Sequence, residues 1–200
     1  VVDDRVKCAR RTLYALHGPG LHGMSGLPVA TCLKLYNAYV LPRALYGLES
    51  VNISDTGRNK LKVMHRHSLR CILGLPERTA IPALHILTGQ LPIEHLLDIK
   101  ILTFLLSLIT ENPTREIILK QYSIKKNSMS LVKVFKTKLQ EYSLPTILDL
   151  YEDPPPKSIW KHEVKEAVYK HVTHSLLQEA KQMSSLKFLS NHFIPRTPDK

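Results

Sequence analysis

The stretch PIEHLLDIKILTFLLSLIT, residues 92–110, decides the fold class because it is apolar on nearly every side. A helix that is hydrophobic all round is buried at the centre of a domain rather than laid on its surface. Pro92 suits the first turn of such a helix, where no backbone N–H donor is needed. The most apolar part, from Ile101 to Thr110, is about half as long as a membrane crossing requires. We therefore predict a buried central helix and no membrane-spanning segment.

Helical periodicity continues on both sides of this stretch, and no segment shows a confident strand pattern. Asp3 and Asp4 predict the start of a helix that runs to about Leu16, because carboxylates favour a helix N-terminus. Another helix is predicted between a cap at Ser54 and an end at Gly74. Three more apolar faces complete the pattern: Leu33, Tyr36 and Val40, before a kink or stop at Pro42; Leu131, Val132, Phe135, Leu139 and Tyr142, behind a cap at Ser128; and Trp160, Val164, Val168, Val172 and Leu176, behind a cap at Ser158.

The predicted fold class is all-α, an irregular multi-helix domain with a C-terminal helical extension. We place the basic helical domain at residues 1–122 and the extension at residues 123–200, beginning with the polar connector SIKKNS. The tail from Phe193 onward is expected to be frayed.

The balance of charge is the first indication of function. Lysine and arginine number 28 against 17 aspartates and glutamates, which gives a net charge of +11 and a pI near 9.6. Such a field favours a polyanionic partner. Cys8, Cys32 and Cys71 are odd in number and widely spaced, which argues against a disulfide framework and a zinc site and for a reducing compartment. The charged start, VVDDRVKCARR, predicts no signal peptide. We expect an intracellular protein, in the nucleus or cytoplasm.

Two helix faces concentrate this positive charge. Four cations step by four residues along the predicted helix after Ser54, and no Asp or Glu lies between Asp55 and Glu77. Like charges at that spacing repel one another unless an anion answers them. Three cations and a tyrosine share one arc of the first helix. The predicted nucleic-acid-binding residues are Lys7, Arg10, Arg11, Tyr14, Arg58, Lys62, Arg66 and Arg70. The alternative interpretation of both faces is an ordinary solvated surface.

Catalytic and metal motifs are weak or incomplete. The stretch His162-Glu163-Val164-Lys165-Glu166 resembles the zinc motif HExxH, but glutamate replaces the second histidine. No nucleophile elbow and no phosphate-binding loop of the GxxxxGK[ST] type occurs. The pair Asp3-Asp4 could hold magnesium in a polymerase, but here it leads into a helix. We predict no catalytic residue, no metal ion and no cofactor in this chain.

Four blocks of sequence are similar, in order and spacing, to one region of a known family. They are ARRTLYALHGPGLHG (9–23), LKLYNAYVLPRALYGLES (33–50), HRHSLRCILGLPERTA (65–80) and LTGQLPIEHL (87–96). Together they resemble the segment immediately downstream of the catalytic palm in reverse transcriptases of non-LTR (LINE-like) retrotransposons. The likeness is good over about residues 5–120 and looser beyond Met129, where WKHEVKEAV (160–168) still resembles it.

The resemblance implies a helical thumb that packs beside the palm and holds the RNA–DNA template–primer hybrid. Arg10, Arg11, Arg66 and Arg70 are the contacts that it implies. Tyr46 and Gly47 would be structural, ending a helix. The sequence departs from the family in carrying no palm, fingers or Cys/His knuckle. It is therefore interpreted as a fragment of an RNA-directed DNA polymerase, with Mg²⁺ in the palm of the parent enzyme. The alternative function is a helical protein–protein adaptor without a nucleic-acid role.

Overall fold

The structure is a computed structural model that describes residues 1–123 and 130–186, the side chain of Asn112 excepted. These residues form helices and turns, and no strand occurs among them, so the predicted all-α class is confirmed. The α-helices are α1 (Val2–His17), α2 (Val29–Leu35), α3 (Leu41–Leu45), α4 (Asp55–Leu73), α5 (Ile81–Thr88), α6 (Ile93–Thr110), α7 (Asn112–Ser123), α8 (Leu131–Glu141), α9 (Ile147–Glu152) and α10 (Lys157–Gln182). Two short 3₁₀ turns cover Leu48–Ser50 and Ser184–Leu186.

The central helix α6 is buried, as its composition predicts. Every residue of α6 except Thr110 is buried or half-buried. An apolar surface on all sides needs protein on all sides, because leaving it in water costs about 25 cal/mol per Å². No helix in the described part of the chain has both the length and the apolar character needed to span a membrane.

Local signals fix both ends of α4. The Ser54 hydroxyl accepts a hydrogen bond from the Gly57 N–H at 3.3 Å, which satisfies a donor that the first turn leaves unpaired. At the other end Gly74 takes a left-handed conformation with φ 65°. A residue without Cβ adopts that conformation without steric cost. Both predicted ends of this helix are confirmed.

Two predicted caps, Ser128 and Ser158, need correction, and of the two outcomes predicted at Pro42, a kink or a stop, the stop does not occur. Pro42 does not stop its helix: a π-helical turn, Tyr36–Val40, joins α2 to α3, and Pro42 stands in the first turn of α3. The start of α10 precedes Ser158, because the Trp160 N–H already donates to the Pro156 carbonyl at 3.0 Å. Ser128 and the connector around it lie outside the described residues. The side chain that caps α8 is that of Ser130, which accepts from the Val132 N–H at 3.2 Å.

The described residues group into two compact units. Unit 1 comprises Val1–Leu48, Ile53–Glu94 and residues 174–186, and unit 2 comprises Glu49–Asn52 together with the described part of His95–Thr173. Each unit combines segments that are distant in the chain. The grouping therefore does not test whether 1–122 and 123–200 are separate domains. That division stays a prediction.

Each unit buries a large aromatic side chain in its apolar interior. In unit 1 Tyr36 is fully buried, as are Leu13, Met64 and Ile72, and its hydroxyl lies 2.6 Å from His65 Nδ1. In unit 2 the fully buried Trp160 donates its indole N–H to the Leu102 carbonyl at 2.9 Å. Since a buried indole donor is costly without a partner, this bond helps to fix α10 against α6 within unit 2.

Candidate nucleic-acid interface

The first predicted binding face lies on α1. Lys7, Arg10, Arg11 and Tyr14 are all exposed. Val6, Ala9 and Leu13 of the same helix are buried. Because side chains repeat every 3.6 residues, the two sets occupy different sides of the helix. The structure therefore brings the four predicted α1 residues together on one open surface.

The second predicted face, on α4, is less open than the first. Arg58, Lys62, Arg66 and Arg70 are all half-buried. Their arc flanks the buried side of the helix, and the guanidinium Nε of Arg70 is itself buried. The face is continuous along α4, as predicted, but part of it is covered.

Three of these four α4 cations already have partners within the protein. Lys62 forms an ion pair with Glu94 at 3.0 Å. The guanidinium groups of Arg58 and Arg70 donate to the carbonyls of Ile53 and Thr79, at 3.4 and 3.1 Å. For Arg66 no hydrogen bond or ion pair occurs among the described residues. The repulsion along α4 is thus partly relieved by the fold itself, and α1 offers the freer charge.

The two faces belong to helices that pack on each other. An exposed ion pair joins them, with Lys60 Nζ 2.7 Å from Asp3 Oδ1. The hydrogen bond and the charge of Lys60 lower the pKa of Asp3 below its ordinary value. Asp3 and Asp4 stand in the first turn of α1, which agrees with the helix-start interpretation of this pair.

Beyond Asp3 and Asp4 in the first turn of α1, the sequence around this helix carries no carboxylate to neutralise these cations. Residues 5–48 include four arginines and two lysines but no aspartate or glutamate. Residues 56–76 are likewise free of carboxylates. A face with few local counter-charges leaves most of its field to an external anion.

A pocket of about 420 Å³ opens beside the same helix. Its apolar floor comes from Cys8, Ala15 and Leu16 of α1. Arg11 also lines it, together with Tyr39 of the π-turn and Arg43 of α3. Sequence reasoning missed Tyr39 and Arg43. The available signal was Pro42, whose ring conflicts with the carbonyl of Ala38 and so favours a widened turn at this place.

The glycine-rich loop between α1 and α2 commits several of its amides to the protein. The Gly23 N–H donates to the Cys71 carbonyl at 2.8 Å, and the Leu27 N–H donates to the Gly20 carbonyl at 2.9 Å. Gly20 adopts φ 103°, which supports the interpretation of this segment as a sharp turn.

Unit 2 contains a polar cluster that the sequence did not predict. Asp98 is fully buried and accepts from the Tyr142 hydroxyl at 2.6 Å. Ligand atoms of His95, Asp98 and Glu141 all lie within 4.8 Å of one another, a spacing that could hold a metal ion. Lys138 Nζ, however, lies 2.9 Å from Asp98 Oδ2 and 2.8 Å from Glu141 Oε2.

The ammonium of Lys138 therefore contacts both carboxylates and compensates part of their negative charge. Burial alone would lower the pKa of Lys138, but the charge of Asp98 and the bonds to Glu141 and Asp98 outweigh it and raise that pKa. Only the spacing of His95 and Asp98 on one helix face could have been seen in the sequence. The predicted absence of a cofactor stays a prediction.

The HExxH-like stretch forms a surface pair. His162 and Glu166 are both exposed on α10, with His162 Nδ1 3.8 Å from Glu166 Oε2. The three cysteines are free thiols.

Comparisons with protein-family models, with curated proteins and with solved structures find no match for this chain. The likeness to a reverse transcriptase thumb therefore rests on the four sequence blocks alone.

Proposed function

We propose that this chain binds nucleic acid as a thumb-like helical region of a non-LTR retrotransposon reverse transcriptase. Its task is to hold the RNA–DNA template–primer hybrid beside the palm of the parent polymerase. The observation that supports it best is the exposed face of α1, where Lys7, Arg10 and Arg11 lie together and no carboxylate follows until Glu49.

Binding is electrostatic in this proposal. Cations that neutralise phosphates release the counterions condensed on the nucleic acid, so affinity falls linearly with the logarithm of salt concentration. Contacts of this kind position a duplex and carry no sequence information. Tyr14, 55% exposed on the same face, adds an aromatic surface for a base or sugar.

The resemblance implies different roles for this chain and for the palm of the parent enzyme. This chain contributes binding, while Mg²⁺ and the catalytic carboxylates belong to the palm. Among the α4 cations, Arg66 contributes most to binding, because Lys62 is engaged by Glu94 and Arg70 by the Thr79 carbonyl.

Charge reversal on α1 tests the proposal. The triple variant Lys7→Glu, Arg10→Glu, Arg11→Glu is compared with wild type for affinity to an RNA–DNA hybrid by fluorescence anisotropy at low salt. The matched control reverses three lysines that are exposed in unit 2: Lys133, Lys161 and Lys170. Both variants change net charge equally, so a difference between them reports position rather than total charge.

We expect the α1 variant to lose roughly tenfold or more in affinity, and the control to lose much less. The slope of log affinity against log salt should flatten by about 0.9 for each lost phosphate contact. Equal losses in both variants would reduce the effect to non-specific attraction and overturn the assignment. Salt-independent, weak hybrid binding by the wild type, together with tight binding of a folded protein, would favour the adaptor function.

A further inference from the structure

We propose that the pocket between α1 and the π-turn holds one unpaired nucleotide of a bound strand, with its base on Tyr39 and its phosphate between Arg11 and Arg43. This inference rests on the proposed function and names a subsite within it. The pocket would bind a single base, whereas the wider α1 face would bind the duplex backbone.

The size and lining of the pocket fit such a guest. A volume of about 420 Å³ lies within the range of roughly 300–1,000 Å³ that small-molecule sites occupy. The floor of Cys8, Ala15 and Leu16 is apolar, whereas Arg11 and Arg43 bring positive charge. A ligand that matches the apolar lining and the positive charge needs an aromatic or apolar body and an anionic end. A nucleotide has both.

Tyr39 provides the stacking surface. Its side chain is 52% exposed although it lines the pocket, so one part of the ring is open to a guest. It lies in the π-turn, where the Leu41 N–H donates to the Tyr36 carbonyl five residues earlier. Single π-turns within α-helices occur frequently at functional sites, because the widened turn redirects side chains.

The arginines are placed to take the phosphate. Arg43 Nη1 donates to the Thr12 hydroxyl at 2.6 Å, and that hydroxyl donates in turn to the Cys8 carbonyl at 3.0 Å. Because Thr12 is buried, this chain of bonds holds the guanidinium of Arg43 at the wall of the pocket. A planar guanidinium with free N–H groups matches a phosphate in two-point contact.

A base inside a duplex is stacked on both sides and cannot enter. The guest is therefore a nucleotide at a single-stranded end, a gap or an overhang of the strand that the α1 face holds. A single-stranded probe, a short oligothymidylate, isolates this subsite from duplex binding.

The first test uses the native cysteines of the full chain. Cys8 lines the pocket, whereas Cys71 is a half-buried thiol on α4 that does not. We expect saturating oligothymidylate to slow alkylation of Cys8 by iodoacetamide several-fold and to leave the rate at Cys71 unchanged. Slowing at both thiols, or at neither, would contradict a guest in the pocket.

The second test replaces the stacking ring. Tyr39→Ala should weaken oligothymidylate binding roughly 5- to 150-fold, the loss expected when one base no longer stacks. Tyr39→Phe should retain the affinity, because the ring and not the hydroxyl is used. Tyr46→Ala is the matched control, since Tyr46 is also exposed, at 65%, and lies outside the pocket. The salt slope of Tyr39→Ala should equal that of wild type, because no charge is removed.

The outcomes distinguish this inference from the proposed function. If wild type binds neither hybrid nor oligothymidylate, both are wrong. If hybrid binding depends on the α1 charges but Tyr39→Ala binds oligothymidylate like wild type, the subsite is wrong and the proposed function stands. If Tyr39→Ala weakened the binding of a peptide and left the affinity for oligothymidylate unchanged, the pocket would belong to a protein partner instead.

Discussion

The imidazole of His65 is 1% exposed and lies between two hydrogen-bond partners. The Tyr36 hydroxyl is 2.6 Å from Nδ1, and the Leu91 carbonyl is 3.1 Å from Nε2. Since the carbonyl can only accept, Nε2 carries the proton, and Nδ1 accepts from the tyrosine. The neutral ring thus satisfies both partners. Burial, reinforced by the nearby His85, lowers the pKa of His65 to about 3.

This histidine makes the stability of the protein depend on acidity. The unfolded side chain takes up a proton near pH 6.5, whereas the folded one does so only near pH 3. Between these values the unfolded state binds more protons, so acidification favours unfolding by about 1.4 kcal/mol per pH unit. The contribution is fully present above pH 6.5 and is lost as the pH falls. His65→Gln keeps an acceptor and a donor but cannot titrate.

Urea denaturation between pH 4.5 and 7.5 measures the effect. We expect the free energy of unfolding of wild type to fall more steeply with acidification than that of His65→Gln. The control His162→Gln changes an exposed histidine of α10 and should keep the wild-type slope. Parallel curves for wild type and His65→Gln would show that His65 is not the group responsible.

At the scale of elements, the glycine loop and the end of α4 depend on a very close approach. A Cβ built on Gly23 would lie 2.1 Å from the Gly74 nitrogen and 2.4 Å from the Leu73 carbonyl carbon. These neighbours are backbone atoms and cannot rotate away. Gly18, in the same loop, has nothing within 4 Å of such a Cβ.

The two glycines therefore make a matched pair of substitutions. Gly23→Ala should destabilise the protein by about 1–3 kcal/mol, the usual cost of overpacking, because α4 and the loop must separate. Gly18→Ala should leave stability unchanged or slightly raised, since it only restricts the unfolded chain. Thermal unfolding of both variants checks the difference. Similar midpoints for the two would mean that the loop does not contact α4 as described.

The sequence predicts those features that depend on local chemistry. Ser54 and Gly74 carry their own capping signals, and the composition of residues 92–110 requires burial. Features that depend on distant partners could not be predicted. Glu94 meets Lys62 only because the fold brings α4 and the start of α6 together within unit 1. No spacing rule in one sequence reports such a pair.

The candidate site also combines features that local sequence predicts with features that depend on distant partners. The helical period places Lys7, Arg10 and Arg11 on one face without further information. The pocket, in contrast, needs Tyr39 and Arg43 to be turned toward α1, and the π-turn that does this is not encoded by a hydrophobic period. Pro42 signals a disturbance of the helix, but a kink, a stop and a π-turn share that signal.

At the scale of the whole molecule, residues distant in the chain complete one small core in unit 1. Ala180 near the end of α10 and Leu186 after it pack with Ala83 and Ile86 of α5. Both Ala180 and Leu186 are buried, at 0% and 7% exposed. Residues near position 180 thus support the unit that contains the α1 face, although they lie far from it in sequence.

Truncating Leu186 tests this dependence. Leu186→Ala removes buried methyl groups from the cluster and should lower the free energy of unfolding by about 2 kcal/mol. Leu148→Ala makes the same chemical change on α9, where the side chain is 44% exposed, and should cost less than about 0.5 kcal/mol. Urea midpoints of the two variants give the comparison. Because neither change alters a charge, both folded variants should bind the RNA–DNA hybrid like wild type. Equal costs in stability would place Leu186 outside the core.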